Sequence, residues 1–413
     1  MKKQKYNSLS ANIRLCLLII AGLCVVYTCL NAVNGKQNSA SVSASVESLL
    51  EIEPTTSIQA DAMTDALSTY LSHMTLDEKI YQMFITTPEA LVCSTDPQTV
   101  VSKALKEALE KTPVGGIVLF ASNIRHPKQC KDLLYDLQEA SPIPLFLAVD
   151  EEGGSVARLG NNPNMKVKQI PSMKAIGATQ NVEQAYSAGE TLGKTLERYG
   201  FNVDFAPVCD ISSNPGNTVI GNRSFGDNPK LVADMVTAII QGFNQSNVIC
   251  TLKHFPGHGD TSFDSHFNRV VIDKSIEELN SFEFIPFKAG MCAGAEMIMM
   301  GHISNATVVG DQRPSSLSKT MVTDILRSEL CYDGVVITDS MLMQAITNYY
   351  SSGEAATMAA KAGVDIILAP ADLSEAAAAI KSAVMTGDIS ENRINESVMR
   401  ILTLKANHNI IQF

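Results

Sequence analysis

Eight short apolar runs, most of them ending at or beside Gly, Pro or Asp and alternating with amphipathic stretches, set the plan of this chain. They are YQMFITT (81–87), VGGIVLF (114–120), IPLFLAVD (143–150), FNVDFAPVCD (201–210), NVICTLKHF (247–255), AEMIMMGHI (295–303), GVVITD (334–339) and GVDIILAP (363–370). Between them, 181–200, 229–245, 318–330 and 374–387 carry apolar or small residues at helical spacing. Gly200 suits a helix end and Pro229 a first helical turn. Eight strand–helix units over this length match a (β/α)8 TIM-type barrel. A doubly wound open sheet alternates in the same way and is the competing architecture. The stretch after the eighth run, 371–413, is too short for another folded unit, so a single domain over 61–413 without a C-terminal second domain is expected.

The N-terminus has a different character. Lys2, Lys3, Lys5 and Arg14 precede LCLLIIAGLCVVYTCLNAV (15–33), which carries no charge. A basic segment followed by an apolar one reads as an address, so 1–36 is taken as a signal peptide or membrane anchor. Cleavage, retention as an anchor, and lipid attachment at Cys29 all stay open, and membrane attachment through 15–33 is among them. Residues 37–60 are Ser-rich and read as a linker. The body of the protein is accordingly expected outside the cytoplasm, secreted or anchored, and monomeric. A net charge of −11, with no Lys/Arg run past the extreme N-terminus, argues against a nucleic-acid partner. Cys93, Cys130, Cys209, Cys250, Cys292 and Cys331 are scattered and form no C-x-x-C. Neither a thiolate zinc cluster nor a dense disulfide framework follows.

In a barrel, the C-terminal ends of the strands carry the active site. Asp150, Asp210, Lys253–His254, His302 and Asp339 all close or follow an apolar run. One such residue is most simply a polar strand end; several, from different strands, define a pocket. The stretch KHFPGHGDTSFDSH (253–266) concentrates three of the seven histidines with Asp260 and Asp264. A metal site would want His254 and His258 on one helical face, but Pro256, Gly257 and Gly259 oppose a helix there. Binding of zinc by a loop, and a merely solvated loop, remain open. The third reading is an acid/base dyad, because in an extended D-S-H the side chains of Asp264 and His266 point the same way. A carboxylate there would fix the imidazole's tautomer. For a nucleophile, Asp339 at the end of GVVITD competes with Asp150 in DEEGG, whose adjacent acids also suit substrate-assisted chemistry.

These residues resemble the bacterial β-N-acetylhexosaminidases of glycoside hydrolase family 3. The likeness rests on VGGIVLF, AVDEEGGSVARL, NVDFAPVCD, IGNRSFG, KHFPGHGDTSFDSH and GVVITDSMLM, in that order. It implies a catalytic (β/α)8 domain with Asp339 as nucleophile and His266 as general acid, then base, oriented by Asp264. It further implies that Asp150, Arg158, Arg223, Lys253 and His254 hold the sugar's hydroxyls and acetamide. Many β-glucosidases of this family carry an acid/base Glu on a second domain, whereas the D-S-H here favours the N-acetylglucosaminidase branch. The implied activity is retaining exo-hydrolysis of terminal β-linked N-acetylhexosamine from cell-wall fragments or chitooligosaccharides, with no metal or organic cofactor. A phosphorylase is the second enzyme reading, since an imidazole would not repel phosphate as a glutamate would. Another family 3 β-glycosidase, or a non-catalytic surface sugar-binding protein, completes the alternatives.

Overall fold

The computed structural model describes residues 54–261 and 269–412. The chain divides into a short unit, Met1–Met63, and a large one, Thr64–Phe413. The helix Pro54–His73 begins in the first; everything that follows belongs to the second. Eight parallel strands form one sheet: β1 (Phe84–Thr86), β2 (Gly116–Val118), β3 (Phe146–Val149), β4 (Val203–Asp204), β5 (Ile249–Phe255), β6 (Met297–Met300), β7 (Val335–Thr338) and β8 (Ile367–Leu368). Each lies within one of the eight apolar runs. Neighbours pair in sequence order from β1 to β7, and β8 pairs with β1. A bridge between Ile337 and Ile366 joins β7 to β8 and closes the (β/α)8 barrel.

The strands are buried along their whole length, because a parallel barrel is covered on both faces. That is why they read as continuous apolar runs and not as alternating ones. Surrounding helices start and stop where local chemistry directs. Val182–Tyr199 is capped by the Asn181 side chain and ends at left-handed Gly200, with φ of 104°. Pro229–Phe243 begins on Pro229, with Asn228 accepting from two amides. Leu373–Met385 is capped by Asp372. Thr320–Glu329 is wound as a π-helix, and the Leu330 amide reaches back five residues to the Ile325 carbonyl.

On the side of β8 where the chain enters the strand, a buried ion cluster ties the C-terminal helix Glu391–Asn407 to the barrel. The Asp365 carboxylate accepts from the Val336 amide (2.9 Å), Ser397 Oγ (2.7 Å), Arg400 (3.2 Å) and Arg327. Lys405, from the same helix, is wholly buried; its Nζ donates to Gln82 Oε1 at 2.7 Å and lies 5.0 Å from the Phe146 ring centre. Among the described residues no helix is long and apolar enough to cross a membrane, and the 15–33 segment lies outside them.

Candidate active site

The C-terminal ends of the strands surround a cavity of about 420 Å³, lined by Asp150, Glu152, Arg158, Arg223, Lys253, His254 and Asp339 among others. Apolar walls come from Val118, Phe205, Met299 and Leu368. Five residues expected at the sugar therefore share one space with the expected nucleophile, although the six together come from four different strands and their loops.

β3 runs on into Asp150–Glu151–Glu152, and extended geometry sends alternate side chains opposite ways. Asp150 and Glu152 face the cavity. Glu151 turns away, and its carboxylate accepts the Leu159 and Gly160 amides, both at 2.7 Å. The two adjacent acids of DEEGG are thus separated, and Asp150 with Glu151 does not form a carboxylate pair over one substrate. Burial pushes the Glu151 carboxyl up, against the pull of those amides. These amides directly follow Arg158, whose Nη2 donates to Asp150 at 3.1 Å. Asp204, at the end of β4, accepts the Glu151 amide at 2.9 Å, and burial pushes its pKa well up.

Lys253 and His254 both face this region from the end of β5; the peptide between them is cis. Lys253 Nζ sits 2.9 Å from Asp150 and 2.6 Å from Glu152. Glu152 also receives both ends of the Arg223 fork at 2.8 Å. Burial alone would raise the Glu152 carboxyl, but Arg223 and Lys253 outweigh it and hold it far below the carboxylate range. Burial would likewise strip the proton from Lys253, and Asp150 and Glu152 more than restore it. Lys253 and Arg223 are therefore permanent donors, already oriented by acids.

His254 is fixed from behind by Asp210, which is wholly buried. Asp210 Oδ2 lies 2.7 Å from His254 Nδ1, and its carboxylate also accepts the His254 and His258 amides. Burial opposes its charge, yet the two imidazoles and those amides keep it ionised below the ordinary aspartate value. The tautomer that donates from Nδ1 leaves His254 Nε2 facing Arg223 at 3.3 Å. His258 packs edge-on to His254 and contacts Thr261 Oγ1 at 2.9 Å, and burial lowers its pKa. It braces the loop. Gly259 passes so close to the chain after β4 that a Cβ would lie 1.7 Å from the Ile211 carbonyl oxygen. Asn217 Nδ2 ties His258 O at 2.8 Å and Thr261 Oγ1 at 3.2 Å.

Asp339 follows β7 directly and is half-buried at the cavity wall. Burial would raise its pKa. The imidazoles of His254 and His302, the Ser340 amide at 2.7 Å and the Lys253 ammonium together win and lower it. The surroundings thus favour an ionised carboxylate at neutral pH; among the described residues no His/Cys/Asp/Glu group is arranged to hold a metal. The other half of the expected chemistry, Asp264 and His266, lies outside the described residues.

Two contributors were hard to see in the sequence. Asp210 reads as a polar strand end, but it is the buried anchor of the His254 ring; the 44-residue separation gives no hint of that contact. Glu152 reads as one of a run of acids, and only alternation along an extended strand singles it out.

Residues 75–404 match the family described as the glycosyl hydrolase family 3 N terminal domain. Beta-hexosaminidase A of Pseudoalteromonas piscicida is 35% identical over 335 residues, covering 74% of this chain and 56% of that protein. A beta-hexosaminidase of Stenotrophomonas maltophilia is 33% identical over 271 residues, covering 64% of this chain and 78% of its own length. Among solved structures, a family 3 beta-N-acetylglucosaminidase from Paenibacillus superposes with a TM-score of 0.77 at 36% identity, over 82% of this chain and 63% of that one. A beta-glucoside phosphorylase, BglX, superposes with a TM-score of 0.73 at 25% identity, over 84% and 61%. The chain spans little more than half of the first of these relatives. With the barrel, the ordered motifs and this match in hand, the chain belongs to glycosyl hydrolase family 3, through that family's N-terminal domain.

Proposed function

We propose that the protein is a retaining exo-β-N-acetylglucosaminidase, releasing terminal β-linked N-acetylhexosamine through a covalent glycosyl-enzyme. The observation that carries this is Asp339 on the wall of a cavity lined by oriented donors and acceptors. In this reading Asp339 attacks the anomeric carbon and forms the C–O bond as the glycosidic bond breaks. The leaving oxygen takes a proton from His266; neutral His266 then removes a proton from water, which displaces Asp339. Asp150 accepts from sugar hydroxyls, while Lys253, Arg158 and Arg223 donate. A cavity closed at its base by barrel strands suits one terminal sugar, which favours exo-action.

The cavity's charge also speaks to the attacking group. Among the described residues, the lining cations Lys253, Arg158 and Arg223 are already paired with Asp150 and Glu152 and are not held in readiness for phosphate. Water is therefore favoured over phosphorolysis. The basic-then-apolar N-terminus supports work outside the cytoplasm, on cell-wall fragments or chitooligosaccharides.

Asp339→Ala and His266→Ala are each expected to remove most turnover of an aryl N-acetyl-β-glucosaminide, by a factor of about 10³ or more. Near-wild-type kcat in either variant overturns the assignment. Trapping with a 5-fluoro sugar, followed by peptide mass spectrometry, is expected to label Asp339. Sugar 1-phosphate as the main product in phosphate buffer would replace hydrolysis with phosphorolysis.

A further inference from the structure

We propose that His302 is a positioning residue for the Asp339 carboxylate, acting through the Ser340 peptide; this rests on Asp339 being the nucleophile. His302 lies two residues past β6, is wholly buried, and is not among the residues lining the cavity. Its Nε2 is 2.9 Å from the Ser340 carbonyl oxygen and its Nδ1 is 2.8 Å from Ser316 Oγ. A carbonyl can only accept, so Nε2 carries a proton. In the neutral ring Nδ1 is then a lone pair, and the Ser316 hydroxyl donates to it. Ser316, itself buried, thereby selects the tautomer that reaches Ser340.

Ser340 passes this constraint to the reacting atoms. Its amide donates to Asp339 Oδ1 at 2.7 Å, which orients the carboxylate. On either side, β6 and β8 hold the flanking amides: Asp339 N–H donates to Met300 O at 2.8 Å and Met341 N–H to Leu368 O at 2.9 Å. His302 holds the carbonyl between those two anchor points. The carbonyl shares a peptide plane with the Met341 amide; without His302 that plane keeps one anchor and can turn about it, carrying Ser340 Cα and with it the adjoining amide that aims Oδ1. A carboxylate misdirected by a fraction of an ångström loses its near-attack geometry.

This role has a signature that a merely structural histidine lacks. Aim of the nucleophile matters equally for every aglycone, whereas proton donation matters most for poor leaving groups. The test compares His302→Leu, His302→Gln and Ser316→Ala in the full chain on 2,4-dinitrophenyl and 4-methylphenyl N-acetyl-β-glucosaminides. His302→Leu is expected to lower kcat/KM about 100-fold on both, with KM changed less than about twofold. His302→Gln, which can place an amide N–H where Nε2–H lies, is expected to recover most of that loss. Ser316→Ala is expected to cost about tenfold, again on both aglycones. The proposal is overturned if folded His302→Leu keeps more than half its kcat/KM, if the loss falls mainly on the poor leaving group, or if Gln and Leu lose activity equally. Should His302→Leu fail to fold, unchanged activity in Ser316→Ala overturns it. Labelling of a residue other than Asp339 by the 5-fluoro sugar defeats the nucleophile assignment itself, a separate result.

Discussion

The charge state of Asp339 is decided by a contest between burial, which favours the neutral acid, and the positive groups around it, which prevail. As the proposed nucleophile it must be ionised, so the acid limb of kcat/KM that reports it is expected below the ordinary aspartate value of 3.8. Lys253→Met deletes a permanent charge that helps hold it there. In pH-jump assays the acid limb of that variant is expected to move to higher pH, and an unmoved limb would contradict this electrostatic account. Lys405 is the opposite case, a lone amine whose burial pushes its pKa down to about 7. Unfolded, it titrates near 10.4, so between these values the unfolded chain binds more protons and stability from this group rises with pH. The slope is about 1.4 kcal/mol per pH unit at most. Lys405→Met lacks it, so the melting-temperature advantage of the variant is expected to shrink as pH rises from neutrality; a constant difference would refute the shift.

At the scale of elements, the sequence shows existence better than extent. Every apolar run contains a barrel strand, because a strand covered on both faces leaves an unbroken hydrophobic record. Run 201–210 nevertheless yields only Val203–Asp204 as strand. Pro207 has no amide to give the ladder, and Cys209 resumes contact with β5 by donating to Lys253 O at 2.6 Å. The stretch 318–330 is helical as its spacing implies, but the five-residue hydrogen-bond period of its π-form leaves no mark on apolar spacing. At the candidate site, the strand-end residues were legible because a barrel gathers strand ends. Their partners were not, since Asp210 with His254 and Glu152 with Arg223 are contacts between distant segments. The turn after β5 makes a prediction of its own. Gly259→Ala would drive a methyl group into the Ile211 carbonyl and displace the stem leading to Asp264 and His266. Loss of most activity is expected, with the melting temperature falling by only a few degrees; full activity would show that the stem tolerates displacement.

Across the whole molecule, chemistry and cohesion occupy opposite ends of the barrel. At the far end from the cavity, Asp365 collects Arg327, Arg400 and Ser397 while also accepting the Val336 amide. Removing one side of a buried ion cluster strands the other, so Asp365→Asn is expected to cost about 3–5 kcal/mol in urea unfolding. The activity of the molecules still folded should hold, because no cavity residue touches Asp365; a selective fall in kcat would mean the two ends are coupled. The same carboxylate bears on how the cylinder is fastened. Between most staves, main-chain hydrogen bonds do the joining. Where β7 meets β8, the Ile337–Ile366 bridge carries main-chain hydrogen bonds from Ile366 N–H to Val336 O and from Thr338 N–H to Ile366 O, both at 3.0 Å, and side chains add to them, Asp365 to the Val336 amide and the Leu368 amide to Thr338 Oγ1 at 3.0 Å. The stave that ends in Asp339 is therefore one lip of a seam sewn partly with side chains. Drift at Thr338 or Asp365 would loosen the very edge on which the proposed attacking oxygen is mounted.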